Sequence, residues 1–177
     1  MKKVLGMMVV AAIASGAIAQ DMSEFLPKKE LATLDFLVGK WTGTVETNFG
    51  GGEDVKMKAT MTNKWDVGNR FMTGDVVYDM GPMGVMYGKQ MITFDPTEKN
   101  YVLQWFDMSE PLPMTFRGTW NDKTISMASG PTKTANMGTL TMRTSYTKVD
   151  DKSINFLLEQ KNGDKWEWMM KSSFKKQ

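Results

Sequence analysis

From Lys40 onward, apolar and polar residues alternate in short runs, and a period of two predicts strands. The clearest run is Asp54 to Asp66. Val55, Met57, Ala59, Met61 and Trp65 fall on one face, with Asn63 among them. Lys56, Lys58, Thr60, Thr62 and Lys64 fall on the other. That is a strand with one buried face and one wet face. Lys40 to Asn48 sets Trp41, Gly43 and Val45 against Thr42, Thr44 and Glu46. Strands are also predicted over 70–78, 84–94, 101–107, 114–120, 123–128, 139–148, 153–160 and 165–174. Ser23 to Leu37 has a different period: Leu26, Leu31, Leu34, Phe36 and Leu37 recur at helical spacing. Pro27 suits a first helical turn, and Gly39 supplies the break.

Turn chemistry separates the runs. Gly50-Gly51-Gly52, Val67-Gly68-Asn69, Asp95-Pro96-Thr97 and Asp150-Asp151 lie between strands. Asn121-Asp122 and Asn162-Gly163 read as hairpins, the latter as a type I′ turn. Ser129 to Met137, with Gly130-Pro131, reads as an open loop. About ten strands joined mainly by short turns, with a single helix, imply antiparallel neighbours. Closure would remove the exposed edges of such a sheet. The expected fold is therefore all-β: a single antiparallel up-and-down barrel of about ten strands with a short N-terminal helix. A barrel of that size can hold an internal cavity. A β-sandwich is the alternative.

The first residues stand apart. Lys2 and Lys3 precede an apolar stretch from Val4 to Ile13, too short for a membrane span. Ala17-Ile18-Ala19 completes the signature of a secretory signal peptide over 1–19, with cleavage expected before Gln20. Residues 20–177 then form one domain, long enough to bury a core. The expected location is periplasmic or secreted, in the envelope of a Gram-negative-type bacterium.

Charge and composition remove whole classes of function. The chain has 22 Lys and Arg against 20 Asp and Glu. The leader carries two of those Lys and no acid, so the expected mature protein is neutral. No basic field remains to hold a phosphate backbone, which argues against nucleic acid as a partner. With no Cys, an exported fold has no disulfide to rest on, and no lipid can be attached at a mature N-terminal Cys. With no His, Ser-His-Asp catalysis, His-ligated zinc and a proximal-His haem are excluded.

Several segments together resemble a known family. Phe36-Leu37-Val38-Gly39-Lys40-Trp41 opens the domain, and Asn69-Arg70-Phe71 starts the third strand. Thr93-Phe94-Asp95-Pro96-Thr97 and Tyr101-Val102-Leu103-Gln104-Trp105-Phe106-Asp107 make a hairpin. Pro111-Leu112-Pro113 leads into Phe116-Arg117-Gly118-Thr119-Trp120. Over Leu31 to Phe174 these resemble an uncharacterised bacterial family, domain of unknown function fifteen-seventy-nine. The resemblance implies a calycin-like, lipocalin-like barrel and no activity, because the family has none assigned. The related nitrobindin-like barrels hold haem through a His, which this chain lacks, so no cofactor is expected. In lipocalin-like barrels the Trp of the Gly-x-Trp opening packs across the closed end beneath a basic side chain. Gly39 and Trp41 would then close the barrel here, with Lys171 or Lys175 as cation–π partner.

Three candidate chemistries remain, each beside a plainer reading. Met57, Met61, Trp65, Trp105, Phe116, Trp120, Met142, Tyr146 and Trp168 occupy apolar strand positions. They suit either a filled core or a cavity for a small hydrophobic ligand, because thioethers adapt to shape. Gln90 and Arg143 are polar groups that could orient such a ligand. Met80, Met83 and Met86 are spaced like thioether ligands for Cu(I), although Gly81-Pro82 makes a hairpin tip an equally simple account. Asp75, Asp79, Asp107 and Glu110 could supply an acid and a base. No spacing among them demands a site, so no catalytic residue is assigned and the enzyme class is the weaker one. The leading expectation is non-catalytic binding of a small apolar ligand. A structural envelope protein with a filled barrel, Cu(I) handling and a carboxylate-based enzyme are the alternatives.

Overall fold

The computed structural model describes residues 26–48 and 54–177. The expected leader over 1–19, the start of the expected helix and the Gly50-Gly51-Gly52 turn lie outside the described residues. A short helix α1 (Lys28–Ala32) and a 3₁₀ turn (Asp35–Leu37) precede the strands. These are β1 (Gly39–Thr47), β2 (Val55–Asp66), β3 (Phe71–Asp79), β4 (Val85–Asp95), β5 (Asn100–Asp107) and β6 (Met114–Asn121). Then come β7 (Thr124–Ala128), β8 (Thr132–Lys133), β9 (Thr139–Leu140), β10 (Met142–Asp150), β11 (Ser153–Asn162) and β12 (Lys165–Lys176). Ten of them close a barrel in the order β1-β12-β11-β10-β7-β6-β5-β4-β3-β2, and β1 pairs with β12 to remove the last edge. Every pairing is antiparallel. The fold is the expected all-β barrel, not a sandwich.

On β2 the alternation reads as expected. Met57, Ala59, Met61 and Asn63 are buried, and the intervening Lys and Thr residues are exposed. Three local readings need correction. The stretch Ser129 to Met137 is not simply open, because β8 and β9 form a small separate ladder there. The β11–β12 turn is not type I′. Its two loop residues are Gly163 and Asp164, and only Gly163 has positive φ, at +58°. Positive φ at the first central residue alone is the pattern of a type II′ turn. Finally, the N-terminal helix is shorter than its apolar spacing implied. The Thr33 hydroxyl donates to the Glu30 carbonyl at 2.7 Å and bonds the Tyr101 hydroxyl at 2.7 Å. A side chain that competes for backbone partners favours the end of a helix.

That segment plugs the lower end of the barrel. Leu34, Leu37 and Trp41 have no exposed surface, and Leu31 has almost none. Burying each Leu contributes about 1.5–3 kcal/mol. The Trp41 indole N–H donates to the Leu37 carbonyl at 2.8 Å. Its cation is Lys176, 5.3 Å from the ring centroid, rather than Lys171 or Lys175. Lys171 lies over Trp168 at 4.2 Å, and Lys175 donates to the Ser153 hydroxyl. Gly39 sits at φ +126°, and a Cβ there would overlap the Lys176 side chain, so the Gly-x-Trp opening lets that Lys reach its place. No helix among the described residues is long and apolar enough to cross a membrane.

Candidate functional site

The lumen divides into two levels at a chain of hydrogen bonds. Strands β4 and β10 stand nearly opposite each other in the barrel order. From β10, the Tyr146 hydroxyl donates to Gln90 Oε1 on β4 at 2.9 Å. Gln90 Nε2 donates to Asn63 Oδ1 at 2.9 Å and approaches the Met61 sulfur at 3.3 Å. Asn63 Nδ2 completes the chain to the Leu37 carbonyl at 2.8 Å. Gln90 is wholly buried, and so are Met61, Ile92, Ile125 and Met127 around this level. Satisfied buried polar groups of this kind fix side chains firmly. A Cβ at Gly74 would overlap the Asn63 amide, so glycine makes room for the crossbeam. Burial holds the Tyr146 phenol far above its ordinary range, with neighbouring Tyr78 adding to the shift. Tyr146 therefore stays a donor.

Below the crossbeam the described side chains pack against the N-terminal plug. Trp65 donates from its indole N–H to Asp35 at 2.8 Å. Trp120 packs on Phe36, with ring centroids 5.3 Å apart. Both were candidate cavity residues, and both instead clamp the N-terminal plug. Phe116 is buried opposite Leu103 as part of the core.

Above the crossbeam the wall is rich in thioethers. Met57, Met114, Met142 and Met170 are buried on inward positions of four strands, and Met86 packs against the same core. Trp105 lies across Gly88, where a Cβ would overlap its ring. Its indole N–H donates to Asp107 at 2.7 Å. Tyr78 is the polar exception on this wall. It is 5% exposed. Burial pushes its phenol far above the ordinary value, and the nearby Asp107 carboxylate adds to the shift.

The other candidates are scattered. Arg143 faces outward between buried Met142 and Thr144, paired with Glu159 at 2.7 Å and stacked on Trp166 at 4.6 Å. Trp168, opposite Glu159 in the ladder, shares that outer face. Neither lines the lumen. Of the spaced methionines, Met80 and Met86 pack against the core, while Met83 is 66% exposed on the 3₁₀ turn Gly81–Met83. The four carboxylates are separately engaged. Asp75 pairs with Lys89, and Asp79 accepts from the Gly81 N–H. Asp107 accepts from Trp105 and from the Ser109 N–H, and Glu110 accepts from the Ala135 N–H. Among the described residues no cluster of three Asp or Glu has metal-binding geometry.

Sequence reasoning thus found Met57, Trp105 and Met142 on the upper wall, and Met61, Gln90 and Tyr146 at the crossbeam. It missed Tyr78, although Tyr78 keeps parity with buried Met72 and Val76 on β3.

No curated protein matches the chain. Among solved structures, the crystal structure of Rv2717c from M. tuberculosis superposes with a TM-score of 0.63 at 14% identity. The match covers 84% of this chain and 97% of that one. An identity that low speaks to the barrel fold alone. The sequence profile of one family, described as "Protein of unknown function (DUF1579)", matches residues 26–176, and the chain belongs to that family.

Proposed function

We propose that this protein is a non-catalytic barrel that holds one small, largely apolar molecule at its upper end. The observation that carries the reading is the thioether wall formed by Met57, Met114, Met142 and Met170. The nearly buried Tyr78 stands on that wall as its polar group. A phenol O–H both donates and accepts, so a ligand oxygen there would find a hydrogen-bond partner. Thioethers on flexible stems suit an apolar guest of undemanding shape. The crossbeam limits how deep the guest can sit, and so favours a short molecule over a long chain. The signal-peptide pattern over 1–19 favours an exported setting, which fractionation of the native host would test. Recovery only from the cytoplasm would contradict it.

Titration with short fatty acids and planar aromatic probes tests the binding. Trp105 stands beside the site, so its fluorescence should change and the melting temperature should rise with at least one probe. Tyr78→Phe should weaken that binding by about 1 kcal/mol. A second reading, a filled structural barrel, is favoured by the full burial of Gln90, Met61 and Ile125 at mid-height. It expects no response to any probe.

A further inference from the structure

The two ends of the barrel differ in what their loops expose. The turns at the plugged end carry charged pairs: Glu98-Lys99, Asp122-Lys123 and Asp151-Lys152. At the open end, three loops raise large apolar side chains into solvent. These are Met83 between β3 and β4, Met108 and Leu112 between β5 and β6, and Met137 between β8 and β9. Each is more than half exposed. Strands β3, β4, β5, β6, β7 and β10 are consecutive in the barrel, so the tips crown one arc of the mouth.

The tips are also held in place. Glu110 accepts from the Ala135 N–H at 2.8 Å and so staples the second loop to the third. Across the first loop, the Met80 N–H donates to the Gly84 carbonyl at 2.9 Å. The carboxylates at the strand ends beneath, Asp79 and Asp107, accept from the Gly81 and Ser109 N–H groups. A cluster of exposed apolar groups kept in position marks an interaction site.

Below the tips, the outer wall grades from apolar to charged. On β4 the outward positions are Val85, Tyr87 and Lys89, alternating with the less exposed Met86, Gly88 and Gln90. Tyr87 is 59% exposed, and Lys89 pairs with Asp75 on β3 at 2.7 Å. Such positions are about 7 Å apart along a strand. Aliphatic group, phenol and ion pair follow the order met in passing from acyl chains through headgroups to water. Tyr is a side chain that favours the headgroup level. Interfacial elements bury their apolar face by about 5–10 Å, a depth that takes in Met83 and Val85 and leaves Lys89 in water.

Charge then selects the surface. Within segments 80–84, 108–113 and 129–138, Glu110 is the only acid and Lys133 the only base. No polybasic cluster is there to hold an anionic membrane. Four separate tips also fall short of the roughly 20–30 residues that a stable protein interface uses on each side. A bilayer accepts isolated apolar points. We propose that the open end docks on a zwitterionic lipid bilayer. The barrel tilts so that the arc from β3 to β10 enters, while the polar β11–β12 turn, Gly163-Asp164, stays in water. The purpose of docking rests on the binding reading above: a mouth in the bilayer lets an apolar molecule reach the thioether wall without crossing water.

Flotation of the protein purified from its own host with phosphatidylcholine vesicles tests this. The protein should rise with the vesicles, equally at low and high salt. The triple variant Met83→Ser, Met108→Ser, Leu112→Ser should weaken partition at least about tenfold. Val67→Ser, at an exposed apolar residue of the plugged end, should leave it unchanged. All four side chains are exposed, so these variants should fold. Leu112→Trp gives a second readout, fluorescence quenched by brominated lipid. The triple variant should still bind a water-soluble apolar probe, and Tyr78→Phe should still float, so docking and ligand binding fail separately. Three results would overturn the proposal: no flotation, flotation indifferent to the triple variant, or flotation only with phosphatidylglycerol that salt abolishes. A dimer lost in the triple variant, in place of vesicle binding, would overturn it too.

Discussion

Trp41 ties the plug to the first strand through its indole bond to the Leu37 carbonyl, with Lys176 over its ring. Trp41→Ala should cost about 3–5 kcal/mol, because the plug cannot collapse into the space left. Urea unfolding measures this, and an unchanged midpoint would contradict the placement. Gln90→Leu removes a side chain that both donates and accepts, leaving Tyr146 and Asn63 short of partners. It should destabilise by about 1–3 kcal/mol per orphaned group. The tyrosines make a prediction about pH. In the fold, burial raises the values of Tyr78 and Tyr146, so the folded state keeps protons that the unfolded chain releases above about pH 10. Stability contributed by these groups is present below that pH and falls as pH rises beyond it. Their phenolate absorbance should emerge only with unfolding. Its reversible appearance in the folded barrel, assigned with Tyr78→Phe and Tyr146→Phe, would contradict this account.

Among the elements, the β11–β12 hairpin shows how turn geometry sets local cost. Gly163 holds φ +58°, so Gly163→Ala should lower stability by about 1 kcal/mol. A thermal melt equal to that of the native chain would refute the turn assignment. Strands were legible in the sequence because alternation reports burial directly, as on β2. Which residues share a wall was less legible. Met142 and Arg143 were both read as cavity residues, yet adjacent strand residues point to opposite faces, and only Met142 faces inward. At Trp168 the parity passes through a bulge, since the β11–β12 register shifts between Leu158 and Glu159. An extra residue in one strand reverses the faces that follow, and no local composition marks it. Trp65 and Trp120 kept inward parity but lie at the plugged end, a matter of height that alternation does not encode.

The whole molecule is asymmetric from end to end. The lower end is sealed by the N-terminal segment, and the crossbeam closes the middle. Toward the upper end stand Met83, Val85, Tyr87, Met108, Leu112 and Met137, all exposed large hydrophobics. The loops that carry Met83, Met108, Leu112 and Met137 lie at the level of Tyr78 and Asp107, so this is the end by which an apolar molecule would reach the thioether wall. Closure of the barrel was legible, because ten short strands with tight turns leave few other ways to hide their edges. The crossbeam was not, since it joins residues far apart in the chain, such as Gln90 and Tyr146. The central claim is occupancy of the upper wall, and native mass spectrometry of the protein purified from its own host tests it most directly. The account predicts a bound apolar species that survives gentle ionisation and is depleted in Tyr78→Phe. A single ligand-free mass for the native protein, together with silence toward every apolar probe, would contradict it.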